Sequence, residues 1–225
     1  MVVEETVNDK SYCPLCKSGS VEPFFQDSTR HYLRCNLCKL VFVPAQYWLN
    51  SEEERSTYDL HENDPYDQAY RSFLSRLVNP LLEKLPSNQQ GLDFGCGPGP
   101  ALPLMMEEHG HHMERYDPFY ANNPSVLNRK FDFICVTEVV EHLRDPDLVF
   151  STLFSMINPG GWLGVMTKLI SEHHDFATWH YIRDMTHICF YHRNTFTYLA
   201  QRFNANVTFI EQDVVLLQKP EPLHY

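Results

Sequence analysis

Apolar residues recur along this chain in two periods, and the switches between them mark the elements. Strand-length apolar runs occur at 92–94, Met113 to Tyr116, Phe131 to Thr137, Trp162 to Thr167, Val207 to Ile210 and Val214 to Gln218. Helical spacing occupies the stretches between several of them. Tyr70, Phe73, Leu74, Leu77 and Val78 fall on one helical face. That helix continues through Leu81 to Leu85 and should kink at Pro80. Ala101 to His109 reads as a second helix, with Pro100 and Pro103 near its start, where proline is tolerated. Arg193 to Phe203 reads as a third. Strands alternating with helices predict an α/β sheet. The first such strand runs into Gly95, Gly97 and Gly99, directly after Asp93. Strand, glycine loop and helix in that order form the usual cradle of a nucleotide-like cofactor.

The N-terminal stretch follows a different pattern. Cys13-Pro14-Leu15-Cys16 and Cys35-Asn36-Leu37-Cys38 make two C-x2-C pairs eighteen residues apart. Four cysteines at that spacing predict a structural Zn²⁺ site with no open position, in a zinc ribbon. A redox pair or a disulfide is the competing reading. Phe24 and Phe25, with Tyr32 and Leu33 opposite, predict two short strands beside the metal. The chain therefore divides into a zinc ribbon at 1–44, a helical connector or lid at 45–86, and a cofactor-binding domain at 87–225.

Composition narrows the partners. The 225 residues are 43% hydrophobic, enough for a well-cored domain with an appendage. No long apolar span predicts membrane insertion. The acidic start, Met1-Val2-Val3-Glu4-Glu5, lacks the basic opening of a signal peptide, and reduced cysteines suit the cytoplasm. A net charge of −11 argues against coating nucleic acid. Within 4–39, five cationic side chains are matched by five acids, so the ribbon lacks a nucleic-acid footprint.

The run Leu92-Asp93-Phe94-Gly95-Cys96-Gly97-Pro98-Gly99 resembles the first motif of class I S-adenosylmethionine (SAM) methyltransferases. The strand at Phe131 to Thr137, the Asn158-Pro159-Gly160-Gly161 turn and the strand after it are similar to the later motifs of that family. The methyltransferase-23 and ubiquinone O-methyltransferase-like members come nearest. The resemblance covers about 81–219 and implies a Rossmann-like class I sheet. It implies that Asp93, Gly95, Cys96, Gly97 and Gly99 hold the amino-acid end of SAM, and Asp117 the ribose. Thr137 and Glu138 complete the cofactor-binding set. One departure stands out. Only thirteen residues separate Asp117 from Phe131, too few for the helix, strand and helix usual there. The third-strand edge of the sheet should be missing or shortened, and with it the usual adenine contacts.

Methyl transfer is an in-line displacement on an activated donor, so the protein mainly positions the reactants. An oxygen acceptor also needs its proton removed or its charge held by a metal. Glu138, Glu141 and His142, read as a helical turn, could hold Mg²⁺ or another divalent ion. The same pattern serves such an ion in ubiquinone-pathway and small-RNA 2′-O-methyltransferases. The alternatives are His142 as a base without metal, and a helix start whose acids suit the dipole. Downstream, a helix over 180–187 would align His180, Asp184 and His187, with Asp184 orienting an imidazole. His142, His187 and Asp184 are the expected catalytic residues. His173, His174 and His192 are expected to be loop residues, and Cys96, Cys135 and Cys189 small buried ones. The expected activity is O-methylation of a small hydroxylated or aromatic acceptor. A ribbon-docked RNA or protein methyltransferase and a non-catalytic SAM-binding adaptor are the alternatives.

Overall fold

The computed structural model describes residues 11–59, 64–171 and 176–222. His173, His174 and Asp175 of the sequence reading lie outside the described residues. The ribbon supplies β1 (Val21–Gln26), β2 (His31–Cys35) and β3 (Val41–Phe42). Two helices follow, α1 (Ser51–Tyr58) and α2 (Gln68–Leu82), the latter with Pro80 inside it. Then come β4 (Gln90–Phe94), α3 (Ala101–Glu108), β5 (His112–Tyr116) and β6 (Phe131–Thr137). The rest is α4 (Pro146–Met156), β7 (Ile157–Met166), β8 (Cys189–Phe190), α5 (Arg193–Arg202), β9 (Asn206–Ile210) and β10 (Val214–Gln218).

The main sheet has the order β5-β4-β6-β7-β10-β9. Strands β5, β4, β6 and β7 are parallel, while β10 runs antiparallel to both β7 and β9. This is a Rossmann-like class I methyltransferase sheet in which β5 is the edge, without a third-strand neighbour among the described residues. The thirteen-residue interval holds instead a bridge from Asp117 to Ala121 and a 3-10 turn at Pro124–Asn128. The chain leaves β4 for β5 on one side and returns to β6 on the other, which makes the switch point where α/β sheets bind ligands.

Alternation within the strands fixes the layers. Phe133 and Cys135 of β6, with Val214 and Leu216 of β10, pack under α2 and α3. Ile134, Val136, Val215 and Leu217 face the opposite layer, with Phe150 and Leu153 of α4 and Phe196 and Leu199 of α5. Ribbon residues Cys13, Leu15, Tyr32 and Leu40 belong to that same core. The ribbon sheet, β1-β2-β3-β8, borrows its fourth strand from beyond β7. Ribbon and methyltransferase sheet are thus joined through a shared core and a shared strand.

Two local expectations are corrected. The Asn158-to-Gly161 segment is no turn ahead of a strand. It lies inside β7, as extra residues between the pairs Phe131–Ile157 and Phe133–Trp162. Within the helical connector, Asn50 caps α1 in a capping box with Glu53. Residues 180–187 do not form one helix. A 3-10 turn covers His180–Arg183, and Asp184 is extended at φ −75°, ψ 118°.

Candidate active site

The loops after β4, β5 and β6 enclose a cavity of about 610 Å³, within the usual size range of small-molecule sites. Helices α1 and α2 roof it with Glu54, Tyr58, Tyr70 and Phe73. The glycine loop forms its floor. Gly95 has φ +75°, and a Cβ there would come within 2.4 Å of Val139 Cγ2. The loop therefore packs directly on the segment after β6. Gly97 has φ +61°, and its N–H donates to Asp117 Oδ2 at 3.1 Å. Asp117 Oδ1 accepts from the N–H groups of Phe119 and Tyr120 at 2.8 and 3.1 Å. One carboxylate thus ties the loop after β4 to the loop after β5.

Asp93 is 2% exposed, and its Oδ1 is buried without a hydrogen-bond partner. Burial lifts its pKa to about 7, against the lowering influence of Arg115 and with a further push from Asp117. A buried carboxyl with an orphaned oxygen, lining a cavity, fits a site for a cationic ligand group. Gly95, Cys96, Gly97, Gly99, Asp117, Thr137 and Glu138 line the same cavity. The Cys96 thiol is pushed up to about 12 by burial, which suits wall material rather than a nucleophile.

Beyond β6 the backbone is strained. Glu138 has φ +51°, an uncommon value for glutamate, and strain of this kind gathers at functional sites. A 3-10 turn, Val140–His142, then carries Glu141 and His142. Glu141 is fully buried and accepts from Tyr181 Oη at Oε1 and from Thr167 Oγ1 at Oε2. Burial first, then repulsion from Glu141, raises Glu138 to about 8. Burial raises Glu141 to about 7, against the hydrogen bonds it accepts.

His187 and Asp184 arrive from the segment before β8. His187 Nδ1–H donates to Tyr181 O at 2.8 Å, and its Nε2 lies 3.7 Å from Asp184 Oδ2. His142 Nδ1–H donates to Thr186 O at 3.1 Å, and the two imidazole centroids are 4.8 Å apart. Burial, with help from His142, lowers His187 to about 4, so it is neutral at pH 7.

The three side chains that converge are Glu141, His142 and His187, whose ligand atoms lie within 4.8 Å of one another. This cluster differs by one member from the ion set expected from sequence, Glu138, Glu141 and His142, with His187 where Glu138 stood. Glu138 is tied in through Tyr181 Oη, 3.3 Å from its Oε2. The expected alignment of His180 with Asp184 and His187 also fails. His180 Nε2 instead contacts Lys168 Nζ at 2.6 Å on the surface. His192 caps α5, its Nδ1 accepting from Asn194 N–H at 3.1 Å. Sequence reasoning gave Tyr181 and Thr167 no role, because both act through partners distant in the chain.

The four ribbon cysteines also converge within 4.8 Å. Cys13 Sγ is 3.5 Å from Cys38 Sγ, and Cys16 Sγ is 3.4 Å from Cys35 Sγ. These separations are too long for disulfides. Each pair sits on a tight knuckle, closed by Lys17 N to Cys13 O and by Lys39 N to Cys35 O. The hydrogen bond from Cys38 holds Cys13 down at about 6, while burial pushes Cys16 up to about 12. Thiols this close cannot all ionise without a cation among them, and the donor set fits a closed tetrahedral zinc site.

Known proteins bear on this arrangement. A family model described as a methyltransferase domain matches residues 66–209. A search of curated proteins gives no significant match. Among solved structures, a SAM dependent methyltransferase from Archaeoglobus fulgidus aligns at 14% identity and TM-score 0.52, over 66% of this chain and 94% of that one. An O-methyltransferase family protein from Burkholderia thailandensis aligns at 11% identity and TM-score 0.51, over 76% of this chain. The chain spans 64% of that protein's length. At these identities the likeness concerns the fold. Among the described residues, no helix is long and apolar enough to cross a membrane. The family match covers well over half of the residues, from α2 into β9, and it places the chain in the methyltransferase-domain family.

Proposed function

We propose that this protein transfers the methyl group of SAM to a hydroxyl oxygen of a small, non-anionic aromatic or polyhydroxylated acceptor. Asp93 binds the ammonium of the methionine moiety, the glycine loop lies along it, and Asp117 takes the ribose hydroxyls. Thr137 and Glu138 flank the reacting end. His187 accepts the acceptor's proton at Nε2, and Asp184 steadies the imidazolium that forms. His142 is the second imidazole beside it.

The observation that carries the reading is the continuity of the cradle with the histidine pair in one cavity. Among the described residues, that cavity is lined by five acids and two histidines, and by no lysine or arginine. Such walls favour the sulfonium and ammonium of SAM and repel phosphates, which weighs against the nucleic-acid alternative. The test is methyl transfer from labelled SAM to a panel of phenols, catechols and polyols, set against amines and total RNA. Transfer to hydroxyl oxygen that drops at least about a hundredfold in His187→Gln supports the reading, general-base loss being of that order. Transfer only to nitrogen or to RNA would overturn it.

A second reading concerns a divalent ion at Glu141, His142 and His187. Both Nδ1–H groups donate to backbone carbonyls, the arrangement that orients metal-bound imidazoles. The two raised glutamates beside them would ionise readily next to a cation. When bound, such an ion would lower the pKa of an acceptor hydroxyl. Turnover that survives chelation, while the ribbon zinc is retained, would discard this reading. Zinc in the ribbon serves structure, with Cys13, Cys16, Cys35 and Cys38 as its ligands.

A further inference from the structure

Arg30 comes from the turn between β1 and β2 of the ribbon and is only 1% exposed. A buried guanidinium is costly unless its donors are satisfied. All five of its N–H groups find acceptors. Nε donates to Tyr32 Oη at 2.8 Å. Nη1 donates to the carbonyls of Met185 at 3.2 Å and His187 at 3.0 Å. Nη2 donates to those of Ile182 at 2.7 Å and Asp184 at 3.0 Å. Tyr32 Oη in turn donates to Asp27 Oδ2 at 2.8 Å. Asp27 stays anionic, since the hydrogen bonds it accepts from Thr29, Arg30 and Tyr32 outweigh its burial and hold it at about 2.

Four of those acceptors lie within six residues of one another, and that segment carries Asp184 and His187 into the cavity. Its carbonyls turn inward to the guanidinium instead of along a helix axis. The adjoining stretch is paired to the ribbon as well, by Val43 N to Ile188 O at 2.9 Å and by β3 to β8. The glycine loop and Asp117, by contrast, are held by β4, β5 and the segment after β6.

We infer that Arg30 is a positioning residue of the active site: the ribbon hairpin inserts its guanidinium as a template for the 182–187 segment and thereby fixes His187 against Tyr181 O. The inference rests on the reading of His187 as part of the reacting end. Its test reads the geometry of His187 rather than turnover, so the two can fail separately. Lysine cannot replace the planar fork, because its three donors cannot meet four coplanar-facing carbonyls and a hydroxyl.

The experiment compares wild type, Arg30→Lys and Arg30→Met as full chains with zinc bound. Nitrogen-15 histidine labelling reports the ring-nitrogen signals of His187, assigned with His187→Gln. Calorimetry reports SAM affinity. The expected result is loss of the single Nδ1–H tautomer of His187 in Arg30→Met and partial recovery in Arg30→Lys. SAM affinity should stay within about twofold, as for independent sites. Unchanged His187 signals in both variants would overturn the inference. So would a parallel loss of SAM binding, which would make Arg30 a general fold residue. Should Arg30→Met fail to fold, the Arg30→Lys spectrum alone decides between these outcomes.

Discussion

Asp93 illustrates how a buried carboxyl proposed to hold SAM can oppose the stability of its own fold. In the unfolded chain its carboxyl releases its proton near 3.8, whereas the native chain holds it to about 7. The native state binds more protons over that interval, so Asp93 makes stability fall as pH rises from the lower value to the higher. Above it the penalty is constant. Asp93→Asn should therefore stabilise the SAM-free protein at pH 8 by about 1–3 kcal/mol, read by denaturant unfolding. The same change should abolish SAM binding. In the wild type, an ammonium ligand requires the carboxylate form. SAM affinity should fall about tenfold for each pH unit below about 7, and calorimetry in buffers of differing ionisation enthalpy should detect the released proton's counterpart. A flat profile would remove Asp93 from the ammonium. Asp117→Ala deletes the acceptor for three N–H groups, at about 1–3 kcal/mol, and should weaken SAM at least about tenfold. The place of both acids in the cavity wall was legible in the sequence, because the glycine run and the next strand frame them. Arg30 and Tyr181 were not, since their meaning lies in partners about 150 and 40 residues away.

Elements whose apolar pattern is intact were legible, and those held by polar contacts were not. Strands β6 and β10 were found to the residue, since both faces of the sheet are buried and their runs are continuous. Helix α1 buries none of its residues, so hydrophobic period could not reveal it. Its signal was the Asn50-x-x-Glu53 box. The spacing over 180–187 allows a helix, but four of the segment's carbonyls are taken by Arg30, and the helix cannot close. Helix α1 also carries Glu54 and Tyr58 to the cavity, with Glu54 paired to Arg144 at 3.0 Å. Asn50→Ala should cost about 1 kcal/mol, confined to α1. Amide exchange over 51–58 should rise about fivefold while the β4–β6 amides stay unchanged. A uniform rise across the sheet would show that α1 does not open on its own.

At the scale of the whole molecule, the ribbon and the methyltransferase sheet share a core, a strand and the Arg30 clamp, so metal in the ribbon should bear on the geometry of the active site. The convergence of the four cysteines was legible from their spacing, but their route to His187 was not, because β8 joins the ribbon only in three dimensions. The coupling should be one-sided. The cradle at Asp93 and the glycine loop is built from β4 and β5, whose neighbours are α2, α3 and β6. The 182–187 segment leans on the hairpin between the two knuckles. The protein should carry one equivalent of zinc, released when a mercurial titrates the ribbon thiols. Cys35→Ser, or zinc removal, should then unfix β2 at its end, release Arg30, and blur the His187 ring signals. Far-ultraviolet dichroism should still report the main sheet, and SAM should still bind, within about tenfold of the wild type if the two ends of the site are nearly independent. Zinc-free protein with unchanged His187 signals would sever the ribbon from the active site. Zinc-free protein that loses sheet and SAM binding together would make ribbon and sheet a single cooperative unit, with the metal a condition of folding rather than of active-site geometry.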